Sequence, residues 1–172
     1  NQCHAYECKQ PTVSDPNLKV ELFYQGIGAA SSMTFLNDDI LLLDKDNGTV
    51  NRIVNGSVVD GPLLDVNVAN KKERGMLGIA VSATGNDSGK YVYLYYTKSK
   101  YGDGTDICSL NEIGLLICNP ETEPIGNRLY KYELSGSKLV NPKVLLNLPT
   151  TPGPAHNGGA IQIGPDNNIY VT

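Results

Sequence analysis

An all-β fold is predicted, and three observations predict it. A strand–turn–strand text occurs three times, at Met33 to Leu43, Leu77 to Thr97 and Ile161 to Thr172. Two further strand candidates follow each of the first two copies, so a four-strand unit repeats. No helical period of useful length interrupts the units. Four antiparallel strands per unit, at roughly 45 residues without insertions, is the pattern of a β-propeller blade.

The first unit, about residues 33–68, opens with Met33 to Leu36, a turn at Asn37-Asp38, and the apolar run Ile40 to Leu43. Asp44-Lys45-Asp46-Asn47-Gly48 turns the chain into Thr49 to Val54, and Asn55-Gly56 turns it again into Val58 to Val66. Asn-Gly favours the tight hairpin turn because both residues tolerate positive φ. The second unit, about residues 77–148, opens with Leu77 to Val81 and the tyrosine-rich run Tyr91 to Thr97, expected to bury one face. An insertion at 98–123 precedes Asn127 to Leu134, and Ser135-Gly136 leads into Lys138 to Leu148. Residues 160–172 give the inner half of a third blade, with Ile163 in the place of Phe35 and Asp166 in that of Asp38. Residues 18–172 therefore read as a partial propeller of about two and a half blades, and 1–17 as a cysteine-bearing lead segment. Propellers close with about four to eight blades, so the sequence is expected to be part of a larger ring.

Composition agrees. The 172 residues are 40% hydrophobic and 19% charged, with 18 Gly and 10 Pro, which suits short strands joined by turns. A net charge of −4, from 14 Lys and Arg against 18 Asp and Glu, leaves no basic stripe for nucleic acid. No run approaches the ~18 apolar residues of a membrane span. The polar start at Asn1 has no apolar signal core, so any signal peptide is expected to be already removed or not included.

Four cysteines fall in two close pairs, Cys3 with Cys8 and Cys108 with Cys118. Neither pair has C-x-x-C spacing, and only His4 lies nearby to complete a zinc set. Local disulfides in an oxidising compartment are the expectation, although four cysteines permit three connectivities. The second bridge would staple the insertion. Sequons at Asn47, Asn55 and Asn86 fall in expected turns, which fits a secreted, periplasmic or cell-surface protein.

Two loops carry the candidate chemistry. In a propeller, the loop entering the innermost strand of each blade opens on one end of the central channel. The loop before the second unit is Asn70 to Met76 and the loop before the third is Pro149 to Gly159. Glu73 and His156 are therefore expected at equivalent places on one channel mouth, a carboxylate and an imidazole suited to positioning and general base catalysis. Each has a plainer reading. Glu73 beside Arg74 serves equally as an ion pair or a tie between blades. His156 serves equally as a loop histidine bonding backbone, and Gly158-Gly159 as a tight turn.

Other motifs carry less. Gly26-Ile27-Gly28 imitates a dinucleotide loop, but a strand pattern follows where phosphate binding needs a helix N-terminus. The Asp44 to Gly48 text lacks the spacing of a calcium loop and reads as a hairpin turn. No metal-ligating set and no Ser/His/Asp triad text is present.

Glu73-Arg74-Gly75-Met76-Leu77-Gly78-Ile79-Ala80, then Tyr91 to Thr97, Asn127-Arg128-Leu129, His156-Asn157-Gly158-Gly159, Gly164-Pro165-Asp166 and Ile169 to Thr172, taken in that order, resemble the glucose/sorbosone dehydrogenase family of soluble quinoprotein propellers. The resemblance covers about Leu18 to the end, outside the insertion. It implies a six-bladed propeller that binds pyrroloquinoline quinone (PQQ) and calcium on its axis and oxidises the anomeric carbon of an aldose. It makes His156 the catalytic base, with Glu73, Arg74, Asn157 and Gly158 contacting substrate or cofactor. An imidazole, with an unperturbed pKa of ~6.5, suits that task near neutral pH. Glutamine often stands at the Glu73 position in glucose-oxidising members, and Ala155 stands where some members carry an acidic residue. Calcium ligands and cationic cofactor contacts are expected in later blades, so this stretch alone is expected to be inactive. Partners implied are a sugar, an electron acceptor and the rest of the propeller. The same family includes hedgehog-interacting proteins, so a non-catalytic extracellular propeller that binds a protein or carbohydrate is the alternative.

Overall fold

The computed structural model describes residues 11–59, 61–82, 90–100, 102, 107–110, 112–113, 116–119, 124–150 and 154–172, with backbone alone for 107–110 and 116–119. Cys3, Cys8 and Asn86 lie outside the described residues. All regular elements among those described are strands, paired antiparallel.

The first sheet contains β1 (Ala30–Leu36), β2 (Asp39–Asp44), β3 (Thr49–Val54), β4 (Ser57–Val58) and β5 (Leu64–Asp65), in the order β1-β2-β3-β4 with β5 also on β3. Its turns follow from local chemistry. The Asp44 carboxylate accepts from the backbone N–H groups of Asp46 and Asn47 at 3.2 and 3.3 Å, and from Asn47 Nδ2 at 3.0 Å. Gly48 closes that turn at φ 65°, where an added Cβ would lie 2.0 Å from the Val66 carbonyl oxygen. Asn55 and Gly56 both have positive φ, 50° and 76°, as the mirror-image hairpin turn requires. Two expectations need correction. The first strand begins at Ala30, before Met33, and shifts register between those residues. The outer strand expected over Val58 to Val66 is broken into β4 and β5, because Gly61 takes φ 74° and Pro62 has no N–H for the ladder.

The second sheet is built from β6 (Met76–Ser82) and β7 (Tyr91–Ser99), then, after a separate hairpin of β8 (Ile107–Leu110) and β9 (Leu116–Asn119), from β10 (Pro124–Ser135) and β11 (Lys138–Leu148). Its order is β11-β10-β7-β6. The insertion thus has its own ladder, in which Cys108 and Cys118 are backbone partners. The β10–β11 turn is Gly136-Ser137, one residue later than expected, with Gly136 at φ 58° in the first central position. β12 (Ile161–Ile163) and β13 (Ile169–Val171) form the last hairpin.

The sheets meet through their first strands: β1 packs beside β6, and β6 beside β12. One core lies between the first two sheets, where Leu41, Leu43, Val50, Val68, Met76, Val92 and Leu94 are fully buried. A second, of Ala80, Tyr95, Leu129 and Ile161, joins the second sheet to the last hairpin. Each buried aliphatic side chain of this kind contributes about 1.5–3 kcal/mol before entropy is counted. The tyrosine run departs from the one-faced burial expected of it. Tyr95 enters one core and Tyr96 the other, because β7 is clamped between neighbours on both faces. The Tyr96 and Tyr130 rings stack at 5.0 Å, and the Tyr96 and Tyr132 hydroxyls share a hydrogen bond of 3.1 Å.

Candidate functional site

The loop Asn70 to Gly75 enters β6, and its shape is fixed from the neighbouring sheet. Lys45, in the β2–β3 turn, donates its ammonium hydrogens to the carbonyls of Asn70, Lys72 and Arg74 at 3.2, 3.2 and 3.1 Å. Its own carbonyl accepts from Met76 N at 2.9 Å. Gly75 is required where these chains cross: at φ 134°, a Cβ there would lie 2.3 Å from the Lys45 carbonyl oxygen. Glu73 is left exposed at the tip.

The loop that enters β12 is docked against this tip. Glu73 donates its backbone N–H to the Pro154 carbonyl at 3.2 Å. Its carboxylate accepts a hydrogen bond from the backbone N–H of His156. Arg74 reaches the same loop from the other side, donating from an Nη to the Thr150 carbonyl at 3.1 Å. Burial alone lowers the Arg74 pKa, yet an arginine stays cationic at any physiological pH. Its Nε is buried with no hydrogen-bond partner among the described residues.

His156 sits at φ 60°, a left-handed conformation uncommon outside glycine, and its side chain is exposed. Asn157, next to it, is buried to 6% exposure. It is tied to the second sheet twice. The Asn157 carbonyl accepts from the Tyr95 hydroxyl at 3.0 Å, and Asn157 Oδ1 accepts from Asn127 Nδ2 at 3.0 Å. Thr97 Oγ1 donates to Asn127 Oδ1 at 2.6 Å. Gly158 and Gly159 then pass close to other chain: a Cβ on Gly158 would lie 2.2 Å from the Thr172 carbonyl oxygen, and one on Gly159 would lie 2.6 Å from Leu77 Cβ. Both glycines are therefore required by close packing against neighbouring chain. His156, Asn157, Gly158, Tyr95 and Leu148 border a cleft of about 340 Å³.

The structure thus gathers Glu73, Arg74, His156, Asn157 and Gly158 at one rim. Glu73 acts there as a tie between blades, Arg74 as a second tie, and Asn157 as a buried anchor. Lys45, Tyr95, Thr97 and Asn127 belong to the same construction and were not singled out from sequence. Asn127 lay within a quoted motif, but nothing in a lone Asn on a strand announces a buried partner more than twenty residues away. Among the described residues, no group of three or more His, Cys, Asp or Glu is placed to hold a metal ion.

A series of antiparallel sheets, with loops from successive sheets meeting at one opening, defines the class as a β-propeller protein. Residues 28–172 match the Glucose / Sorbosone dehydrogenase family, and the chain belongs to it. A search of curated proteins finds no match. Four solved chains match. One is the crystal structure of a candidate oxidoreductase (glucose dehydrogenase) from Thermus thermophilus, 25% identical with a TM-score of 0.66. The alignment covers 90% of this chain and 39% of that one, so the present chain spans well under half the length of that relative.

Proposed function

We propose that this chain forms the first blades of a secreted, PQQ-dependent aldose dehydrogenase, with His156 as the general base. The observation that supports this most is the placement of an exposed imidazole on a loop whose neighbours are all anchored. A base must be accessible to substrate and fixed in space. His156 has an exposed ring on an anchored backbone: Glu73 holds its backbone N–H and Asn157 is buried beside it.

The residues present fit a quinone in chemistry. The rim offers a proton acceptor on His156 and a guanidinium on Arg74 whose Nε has no partner among the described residues. When bound, PQQ supplies the two-electron acceptor for hydride leaving the anomeric carbon. His156 takes the proton of the anomeric hydroxyl, and Arg74 adds positive potential at the mouth. Glu73 orients the histidine through its backbone and keeps water-facing negative charge beside the substrate hydroxyl. No calcium ligand is assigned among the described residues; these belong to the remainder of the ring. Leu146 and Leu148 on β11, 40% and 38% exposed and paired with Leu129 and Asn127, offer a face on which that remainder would pack. We also propose that Cys108 and Cys118 are oxidised. Directly opposed residues of an antiparallel pair stand about 4.5–5.5 Å apart at Cα, within the span a disulfide accepts.

One observation favours a second reading. The Glu73 carboxylate is already engaged by backbone, which suits a rim built for stability in a non-catalytic extracellular propeller that binds a protein or carbohydrate. The test is dye reduction by the complete protein supplied with PQQ and calcium across a panel of aldoses. Turnover that requires both additions supports the enzyme; no turnover with any aldose, together with no PQQ binding, supports the binding module.

A further inference from the structure

We infer that Thr97 and Asn127 are positioning residues for His156, acting across a blade boundary through Asn157; this rests on the reading of His156 as the base. The two residues lie on β7 and β10, in the second sheet, whereas His156 enters the third. Thr97 is fully buried, Asn127 is 4% exposed and Asn157 is 6% exposed. The chain of bonds runs one way: Thr97 Oγ1 donates to Asn127 Oδ1 at 2.6 Å, and Asn127 Nδ2 donates to Asn157 Oδ1 at 3.0 Å.

The link matters because it gives a buried amide a partner at each end. An asparagine amide can flip by half a turn, exchanging its donor and acceptor. As placed, Asn127 points its oxygen at Thr97 on β7 and its NH2 at the loop, so both ends of the buried amide are satisfied. That orientation alone offers Asn157 Oδ1 a donor. Tyr95, from the same strand as Thr97, adds its hydroxyl to the Asn157 carbonyl at 3.0 Å. Tyr95 and Thr97 are two apart on a strand, so both point to the same face. Asn157 is thereby held by its side chain, on Asn127, and by its carbonyl, in the peptide that it shares with Gly158, on Tyr95, so the residue that follows His156 is pinned. His156 has left-handed backbone geometry with φ 60°, a conformation that persists when its surroundings over-determine it. A buried polar group without its partner is costly, so loss of one link disturbs the others.

The test uses the complete protein and three variants: Thr97→Val, isosteric without the donor; Thr97→Ser, which keeps the hydroxyl; and Tyr95→Phe, which removes only the second tie. Hydrogen exchange of the peptide covering residues 154–160 is the readout that needs no cofactor and no turnover. Thr97→Val should speed exchange there at least about tenfold, with β7 and β10 changed much less, and Thr97→Ser should restore it. Tyr95→Phe should act in the same direction, so the inference stays testable if Thr97→Val does not fold. In turnover, Thr97→Val should lower kcat more than it raises KM and shift the acid limb of the pH profile. Exchange unchanged in both Thr97→Val and Tyr95→Phe would overturn the inference. So would exchange raised equally throughout the sheet and unrescued by serine. An inactive wild type that still shows the exchange pattern would refute the dehydrogenase reading and leave the inter-blade coupling standing.

Discussion

The Glu73 carboxylate accepts a hydrogen bond from the His156 backbone N–H, joining positions 83 residues apart in sequence. No strand pairs those two loops directly. They meet because β6 lies beside β12 and both loops leave the same end of the stack. The contact is the physical basis of a shared rim.

Removing the carboxylate should loosen the rim without unfolding the protein. Glu73 is exposed, so the bond is screened and is expected to be worth no more than about 1 kcal/mol. Glu73→Ala should therefore shift the urea midpoint only slightly while accelerating exchange at the His156 amide. Glu73→Gln, which keeps an acceptor oxygen, should protect that amide nearly as well as glutamate does. Equal loss in both variants would mean that charge, not acceptance, holds the loop.

Gly78 should be intolerant of any side chain. A Cβ there would lie 1.9 Å from the Gly159 carbonyl oxygen, where β6 and the chain entering β12 nearly touch. Gly78→Ala is expected to cost about 1–3 kcal/mol or more by overpacking and to detach the last hairpin first. Chemical denaturation with exchange at β12 and β13 would check this. A wild-type midpoint would contradict the packing described.

The buried phenols make stability fall at alkaline pH. Burial raises both the Tyr96 and Tyr132 pKa values above the usual phenol value; Tyr132 and Tyr130 push Tyr96 further up, whereas for Tyr132 the hydrogen bond with Tyr96 works the other way and Tyr130 adds to the rise. Because the folded pKa is raised, the stabilisation is fully present below about pH 10 and is lost as pH rises beyond it. Phenolate absorbance in an alkaline titration should show these tyrosines ionising only with unfolding. Ionisation of all tyrosines at about pH 10 in the folded protein would count against the buried stack.

Asp166 gives the opposite slope at acid pH. The backbone N–H of Asn168 at 3.1 Å, Asn168 Nδ2 at 2.7 Å and the Tyr170 hydroxyl at 3.0 Å hold its carboxyl below the ordinary value. A depressed pKa contributes stability above about pH 3.8, lost as pH falls through the lower folded value. The residue is fully exposed, so the effect is local. Exchange at Asn168 should rise below that pH in the wild type and be raised already near neutrality in Asp166→Ala.

The all-β class, the strand order and the convergence of the two loops were legible because strand period and turn chemistry are local signals repeated in register. Asn55-Gly56 and Asp44 to Gly48 behave as their residues dictate. What was not legible came from packing between sheets. Tyr95 and Tyr96 face different cores although both sit in one apolar run. Lys45, a turn lysine in the sequence, caps three carbonyls of the Glu73 loop. Thr97 and Asn127 are ordinary strand residues until the third blade is laid against the second. The site residues named from the family motif lie at one rim, but Asn157 and Gly158 are held by protein, with Glu73 and His156 the exposed side chains among them.

Whether His156 is a base presented at this rim is measured directly by kcat for aldose oxidation in the complete protein and its His156→Asn variant. Asparagine tolerates the left-handed backbone at this position, so the fold should be kept. The expected result is a fall in kcat of about 10²–10⁴-fold, with PQQ binding and thermal stability unchanged. An unchanged kcat, with the sugar still oxidised at the wild-type rate, would contradict it.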